Sequence, residues 1–123
     1  MPGIPLAIAA PSLRILPVEP RRRRREFLDA AVAELGLANV EAAVGSLRKL
    51  SPQAYQAAVS RAVGDVAGIL GEAGFLADGG ALVAWTTDRY GLEAELGKRF
   101  RLERALRVPD TERKAIALYR LQR

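Results

Sequence analysis

Gly74-Phe75-Leu76-Ala77-Asp78-Gly79-Gly80-Ala81-Leu82-Val83-Ala84-Trp85-Thr86-Thr87 is the stretch on which the fold turns. Asp78-Gly79-Gly80 supplies residues that tolerate positive φ in a tight turn, and the β-branched and aromatic residues after it favour a strand. The spacing predicts a short β-hairpin with Trp85 at least half buried. Upstream, Ser51-Pro52 reads as a capping residue followed by proline at the first helical position. From there Tyr55, Val59, Ala62, Val63, Val66, Ile69, Leu70 and Ala73 gather on roughly one third of a helical circumference. A helix that feeds a hairpin is the expectation for this half of the chain.

Working outward, Asn39 caps a shorter helix over Val40 to Leu50, with Val40, Ala43, Val44 and Leu47 on one face. Before it, Arg21, Arg22, Arg23, Arg24 and Arg25 form an unbroken cationic run that opens a helix carrying Phe27, Leu28, Ala31, Val32 and Leu35, stopped by Gly36. Five cations in a first turn oppose the helix dipole, a cost that points to a use such as binding phosphate. A solvated helix start and an acidic protein surface are the competing readings. Five of the seven prolines lie in the first 20 residues, which favours an extended arm. Leu13, Ile15, Leu16 and Val18 make that arm apolar, so this chain's own core or a partner must cover it. Downstream, Leu92, Leu96, Phe100, Leu102 and Leu106 predict one amphipathic helix over Leu92 to Arg107, its far side lined by Lys98, Arg101 and Arg104. Asp110 after Pro109 caps a last helix.

Composition narrows the chemistry. The 123 residues suffice for one domain with a modest core, and neither cysteine nor histidine is present. That removes disulfides, thiol nucleophiles, imidazole or thiolate metal sites and the commonest general base. Asp65 with Glu72, and Asp78 with Asp88, are the carboxylates a magnesium nuclease would need, but acidic residues on an outer face are usually solvation and no phosphate-binding glycine motif accompanies them. Hence no catalytic residue, metal or cofactor is expected, and the chain is read as not an enzyme. Pro2, Pro5 and Pro11 interrupt the uncharged start and the cations follow it, the wrong order for a secretory signal. No window approaches the ~20 apolar residues of a membrane span. A cytoplasmic protein with no membrane partner is expected.

Val59-Ser60-Arg61-Ala62-Val63, then Gly74-Phe75-Leu76, a turn, an apolar strand and Thr87-Asp88-Arg89-Tyr90-Gly91 resemble winged helix-turn-helix regulators of the multiple-antibiotic-resistance (MarR) type, over roughly residues 40–107. The resemblance implies that Ser60 and Arg61 lie on a DNA-reading helix, Asp78 to Gly80 at a wing tip and Thr87 to Gly91 at the wing's end. Charge is distributed against base reading. Residues 1–25 carry six arginines and one glutamate, for +5; residues 26–91 carry four cations and eight anions, for −4; residues 92–123 carry nine cations and five anions, for +4. The basic ends would therefore supply the phosphate contacts.

The resulting expectation is a mainly α protein with one β-hairpin (α+β), a winged-helix-like single domain preceded by an extended proline-rich arm. Its parts are an arm with the basic run at 1–25, the helical domain at 26–107 and a C-terminal helix at 108–123. The expected function is non-enzymatic binding of DNA or another nucleic acid, as a regulator of transcription or an accessory factor, through Arg21 to Arg25, Ser60, Arg61, Lys98, Arg101 and Arg104. The alternative is an adaptor whose apolar arm and basic helices dock on other subunits, in a homodimer or a larger assembly.

Overall fold

A computed structural model describes residues 3–61 and 73–122, which fall into two compact units, Met1–Leu50 and Ser51–Arg123. The helix stripe expected at Ala62, Val63, Val66, Ile69 and Leu70 lies outside the described residues.

The first unit sets two extended segments, joined by isolated parallel bridges, on either side of a helix. A short helix α1, Gly3–Ala9, replaces the start of the expected extended arm. Pro5 sits within its first turn, where a missing N–H costs nothing. Asn39 donates its side-chain amide to the carbonyls of Ala7 (3.1 Å) and Leu13 (2.9 Å), so it ties the end of α1 down rather than capping a second helix. The chain then runs extended, and parallel bridges join Ile15 to Val40 and Val18 to Val44. The ladder alternates in the parallel manner: Ile15 N donates to Asn39 O, Glu41 N to Ile15 O, Val44 N to Pro17 O and Glu19 N to Val44 O, at 2.8–3.0 Å. Pro17 gives this ladder only its carbonyl, which is why a proline is tolerated there. The helix expected over 40–50 is thus this second extended segment followed by a 3₁₀ turn at Leu47–Lys49.

Between the two segments runs α2, Arg22–Leu35, which matches the helix expected from the arginine run and Gly36. Gly36 adopts φ 63°. Its N–H bonds Ala33 O and that of Leu37 bonds Val32 O, the paired closure by which a left-handed glycine satisfies the last carbonyls of a helix.

The second unit holds a four-stranded sheet of β1 (Tyr55–Arg61), β2 (Leu76–Thr86), β3 (Phe100–Arg107) and β4 (Ala115–Leu121), ordered β1-β2-β4-β3. β1 and β2 are parallel, and β4 is antiparallel to both β2 and β3. One helix, α3 (Arg89–Leu96), follows β2. The fold is therefore a mixed α/β sheet, not a mainly helical winged helix.

Each departure has a local cause. Ser51-Pro52 opens a turn in which Gln53 takes φ 53° and bonds Gly74 O, so the residues after it leave as a strand. Tyr55 and Val59 are spaced for either period, and pairing with Leu76 and Val83 decides for the strand. Asp78-Gly79-Gly80 does not reverse the chain; Gly79, at φ 72°, bends a continuous β2. Gly80 has no room for a side chain, since a Cβ there would stand 2.8 Å from Ala77 O. The true hairpin is β3-β4, where Asp110 is the left-handed residue of the turn (φ 61°) rather than a helix cap. Thr111 Oγ1 donates to Val108 O at 2.6 Å within that turn.

The core of this unit lies on one face of the sheet. Leu82, Ala84 and Thr86 of β2 stand beside Tyr119, Ala117 and Ala115 of β4, and Leu82, Ala84, Ala117 and Tyr119 are at most 1% exposed. Leu92 and Leu96 of α3 are buried too. Trp85, on the opposite face of β2, is partly buried.

Candidate functional site

In open α/β sheets ligands collect beyond the carboxyl ends of the parallel strands, where strands give way to helices. The first unit places Glu19 there, one residue past Val18. Its Oε1 accepts from Arg21 N at 3.1 Å, which orients the carboxylate over the start of α2. Gly45 occupies the matching place after Val44. Neither was singled out from sequence, because Pro17 and Pro20 made the segment look like an arm. The available signal was the order itself: an apolar extended stretch, an acid, a helix closed by glycine, and a second apolar stretch beginning at Val40.

The five arginines of the run are not equivalent. Arg22 pairs with Glu26 at 3.1 Å. Arg21, Arg23 and Arg24 are exposed. Arg25 turns back instead, and its Nη1 donates to Glu19 O (2.9 Å) and Pro20 O (2.8 Å). The run is thus split between an outward cationic surface and one inward contact.

In the second unit, β1 ends at Ser60 and Arg61, which stand beside Ala84 and Trp85 of β2. Both lie at the carboxyl end of a parallel strand, not on a reading helix. Ser60 Oγ donates to Arg61 O at 3.3 Å. β2 ends at Thr86, whose Oγ1 accepts from Asp88 N, and Asp88 in turn caps α3 by accepting from Gly91 N at 2.9 Å. Asp88 is committed to that cap, and Gly91 leaves no space for a Cβ beside the carboxylate.

Lys98 lies in a 3₁₀ turn, and Arg101 and Arg104 are on β3 rather than on a helix. A bulge between Leu102 and Arg104 shifts the register, so that Arg101 opposes Arg120 and Arg104 opposes Leu118. Arg120 and Leu118 share a face of β4. The bulge therefore brings two arginines, three residues apart, onto one face of a strand. Arg120 is occupied, bonding Glu103 Oε2 (2.7 Å) and Gly79 O (3.1 Å).

One buried titratable group stands nearby. Tyr119 donates its hydroxyl to Glu93 Oε1 at 3.3 Å, and Glu93 pairs with Arg89 at 3.2 Å. Burial first, and then the Glu93 carboxylate, push the Tyr119 hydroxyl up to about 12. The group stays protonated at neutral pH and pins α3 to the sheet. Among the described residues, no cluster of three acidic, histidine or cysteine side chains could hold a metal ion, and no helix is long and apolar enough to cross a membrane.

Known proteins agree with the α/β reading. A family model described as GidB, rRNA small subunit methyltransferase G, matches residues 1–103. Ribosomal RNA small subunit methyltransferase G of Stenotrophomonas maltophilia (strain K279a) is 38% identical over 86 residues, covering 68% of this chain and 41% of that protein. The protein of the same description from Mycobacterium marinum is 48% identical over 67 residues, 51% of this chain and 29% of that one. The chain thus spans about two fifths, or less, of the length of the curated relatives it matches. Among solved structures, a SAM-dependent methyltransferase from Aquifex aeolicus superposes with TM-score 0.72 at 13% identity, covering 88% of this chain and 68% of that chain. The putative methyltransferase yhhF from Escherichia coli superposes at 0.63 with 16% identity, covering 89% and 64%. These two likenesses bear on the fold alone.

The matches overturn four expectations at once: the winged-helix resemblance, the transcription regulator, the adaptor, and the absence of enzymatic activity. The winged-helix reading rested on a turn that is a bend within β2 and on a helix whose described part, Tyr55–Arg61, is a strand. The non-enzymatic reading rested on the absence of histidine, cysteine and metal chemistry, which does not exclude membership of a family described as methyltransferases.

Proposed function

Since this chain belongs to the GidB family, rRNA small subunit methyltransferase G, we propose that it acts in the methylation of small-subunit ribosomal RNA with S-adenosylmethionine as methyl donor. The observation that carries the reading is the match over residues 1–103. The position of Glu19 supports it.

A ribose diol offers two hydroxyl donors, and a carboxylate at the carboxyl end of a strand is the acceptor that open α/β sheets use for it. Glu19 fits that demand: it follows the strand and its carboxylate is already oriented by the Arg21 amide. S-adenosylmethionine, when bound, supplies a methyl group made electrophilic by its sulfonium. Glu19 would hold the ribose at the end of that extended segment.

The nucleic-acid partner expected from the basic ends is narrowed to RNA. Arg21, Arg23 and Arg24 at the start of α2 are suited to RNA phosphates, as are Ser60, Arg61, Lys98, Arg101 and Arg104 in the second unit. Arg22 and Arg25 already have partners within the chain. On this reading the work would be done in the cytoplasm; among the described residues no helix is long and apolar enough to cross a membrane.

The test is transfer of tritium from methyl-labelled S-adenosylmethionine to small-subunit ribosomal RNA, with Glu19→Ala as the diagnostic variant. Loss of charge-assisted hydrogen bonds to the ribose should raise the cofactor KM by about 10-fold or more. No incorporation by the wild-type chain, together with no binding of S-adenosylmethionine, would remove the proposal.

A further inference from the structure

The inward turn of Arg25 has no place in phosphate binding, and its contacts all lie at the two strand ends of the first unit. Glu19 N–H is spent on the ladder, bonding Val44 O. That leaves the carbonyls of Glu19 and Pro20 facing α2 with no strand to receive them. Arg25 Nη1 takes both, at 2.9 and 2.8 Å. Bonds from a guanidinium are among the stronger ones a carbonyl can accept. The guanidinium reaches them across Gly45, where an added Cβ would stand 2.9 Å from Nη1 and 3.4 Å from Cζ. Glycine at 45 is therefore the condition for this placement. Arg25 N also donates to Arg21 O at 3.0 Å, and Arg21 N is the group that orients the Glu19 carboxylate.

We propose that Arg25 is a positioning residue for the methyl donor: by bridging the Glu19 and Pro20 carbonyls beneath Gly45, it fixes the loop whose Glu19 carboxylate receives the ribose of S-adenosylmethionine. The inference rests on the functional reading above and assigns within it a division of labour. Arg25 serves the cofactor, and its outward neighbours Arg23 and Arg24 serve the RNA. The adjacent identical residues differ in role because only the fourth position of α2 points back over the strand ends.

The experiment measures binding of S-adenosylmethionine by calorimetry, and separate KM values for cofactor and RNA, on the full chain. Arg25→Ala should weaken cofactor binding and raise the cofactor KM about 10-fold, with kcat and the RNA KM within about twofold, and Arg25→Lys should recover part of the loss. Arg23→Ser with Arg24→Ser should do the reverse, raising only the RNA KM. Gly45→Ala displaces the movable end of Arg25 and should copy Arg25→Ala, yet add nothing in the Arg25→Ala background. A wild-type chain that binds no S-adenosylmethionine overturns the functional reading and the clamp together. A wild-type chain that binds it, with Arg25→Ala binding equally well, overturns the clamp alone. Should Arg25→Ala not fold, the Gly45→Ala protein decides by the same cofactor criterion.

Discussion

Two arginine-rich amphipathic segments, α2 (RRRREFLDAAVAEL) and β3 (FRLERALR), carry nearly the same local message and end in different structures. Both space their apolar residues for one helical face, and both offset cations with a glutamate four residues away. Such pairs are worth only a few tenths of a kcal/mol each, too little to decide a fold by themselves. α2 remains a helix because its far end is closed by the left-handed Gly36 and because its flanking segments pair with each other across it. β3 becomes a strand because Phe100, Leu102 and Leu106 find Leu121, Tyr119 and Ile116 opposite them on β4. Cross-strand pairs of that kind contribute comparable or larger increments, and they come with seven registered positions. What distinguishes the segments is a partner distant in sequence.

If the partner decides, the sheet core should be far less tolerant than the outward face of α2. Leu82 is wholly buried opposite Tyr119, whereas Phe27 on α2 is 71% exposed. Leu82→Ala should cost about 2–5 kcal/mol of unfolding free energy, and Phe27→Ala no more than about 0.5 kcal/mol. Urea titrations followed by circular dichroism make the comparison. Equal costs would mean that α2 and the sheet are held by similar burial, and the contrast drawn above would fall.

How much of this was legible follows from the same contrast. α2 could be read, with its start, stripe and glycine stop, because every signal lay within 15 residues. The strand after Gly80 could be read from Ala81-Leu82-Val83-Ala84-Trp85, although an unbroken apolar run is also the mark of a strand buried on both faces within an α/β sheet. That second implication points away from a hairpin wing. β1, β3 and β4 were unreadable from local pattern, because their apolar residues suit a helix and only long-range pairing contradicts it. At the site, the arginine run was visible but not its split. That Arg25 turns inward depends on Gly45, twenty residues away, having no side chain.

Tyr119 offers a second comparison, since it ties the strand side of the molecule to α3 by a bond that titrates. Its hydroxyl is raised from the ordinary 10.0 to about 12 by burial and by Glu93. A group whose pKa is higher folded than unfolded stabilises the fold fully below the unfolded value, and that contribution is lost as pH rises through the folded one. Stability attributable to Tyr119 should therefore hold to about pH 10 and fall between pH 10 and 12, by on the order of 2 kcal/mol in all. Tyr119→Phe removes the titrating group, so the difference in unfolding free energy between the two proteins should be flat below pH 10 and shift in favour of the variant above it. A difference that stays flat to pH 12 would show that burial and Glu93 together do not raise the hydroxyl above its ordinary value.

The smallest effects separate the two glycines that stand at the borders of these segments. Gly36 closes α2 at φ 63°, ψ 37°, a left-handed conformation that asparagine also visits. Gly97 leads from α3 toward β3 at φ 62°, ψ −148°, a region open almost only to glycine. No atom stands within 4 Å of a Cβ added at either position, so backbone conformation alone sets the cost. Gly36→Ala should cost about 1 kcal/mol, and Gly36→Asn only a few tenths. Gly97→Ala should cost about 1–3 kcal/mol, and asparagine should not relieve it. The pair of asparagine variants is the sharper measurement, because it asks whether the chain is turned or strained. A Gly97→Asn protein as stable as Gly36→Asn would mean that the path into β3 can relax into the ordinary left-handed region. Then the pairing with β4, rather than the glycine, would be the whole reason this arginine-rich segment is a strand.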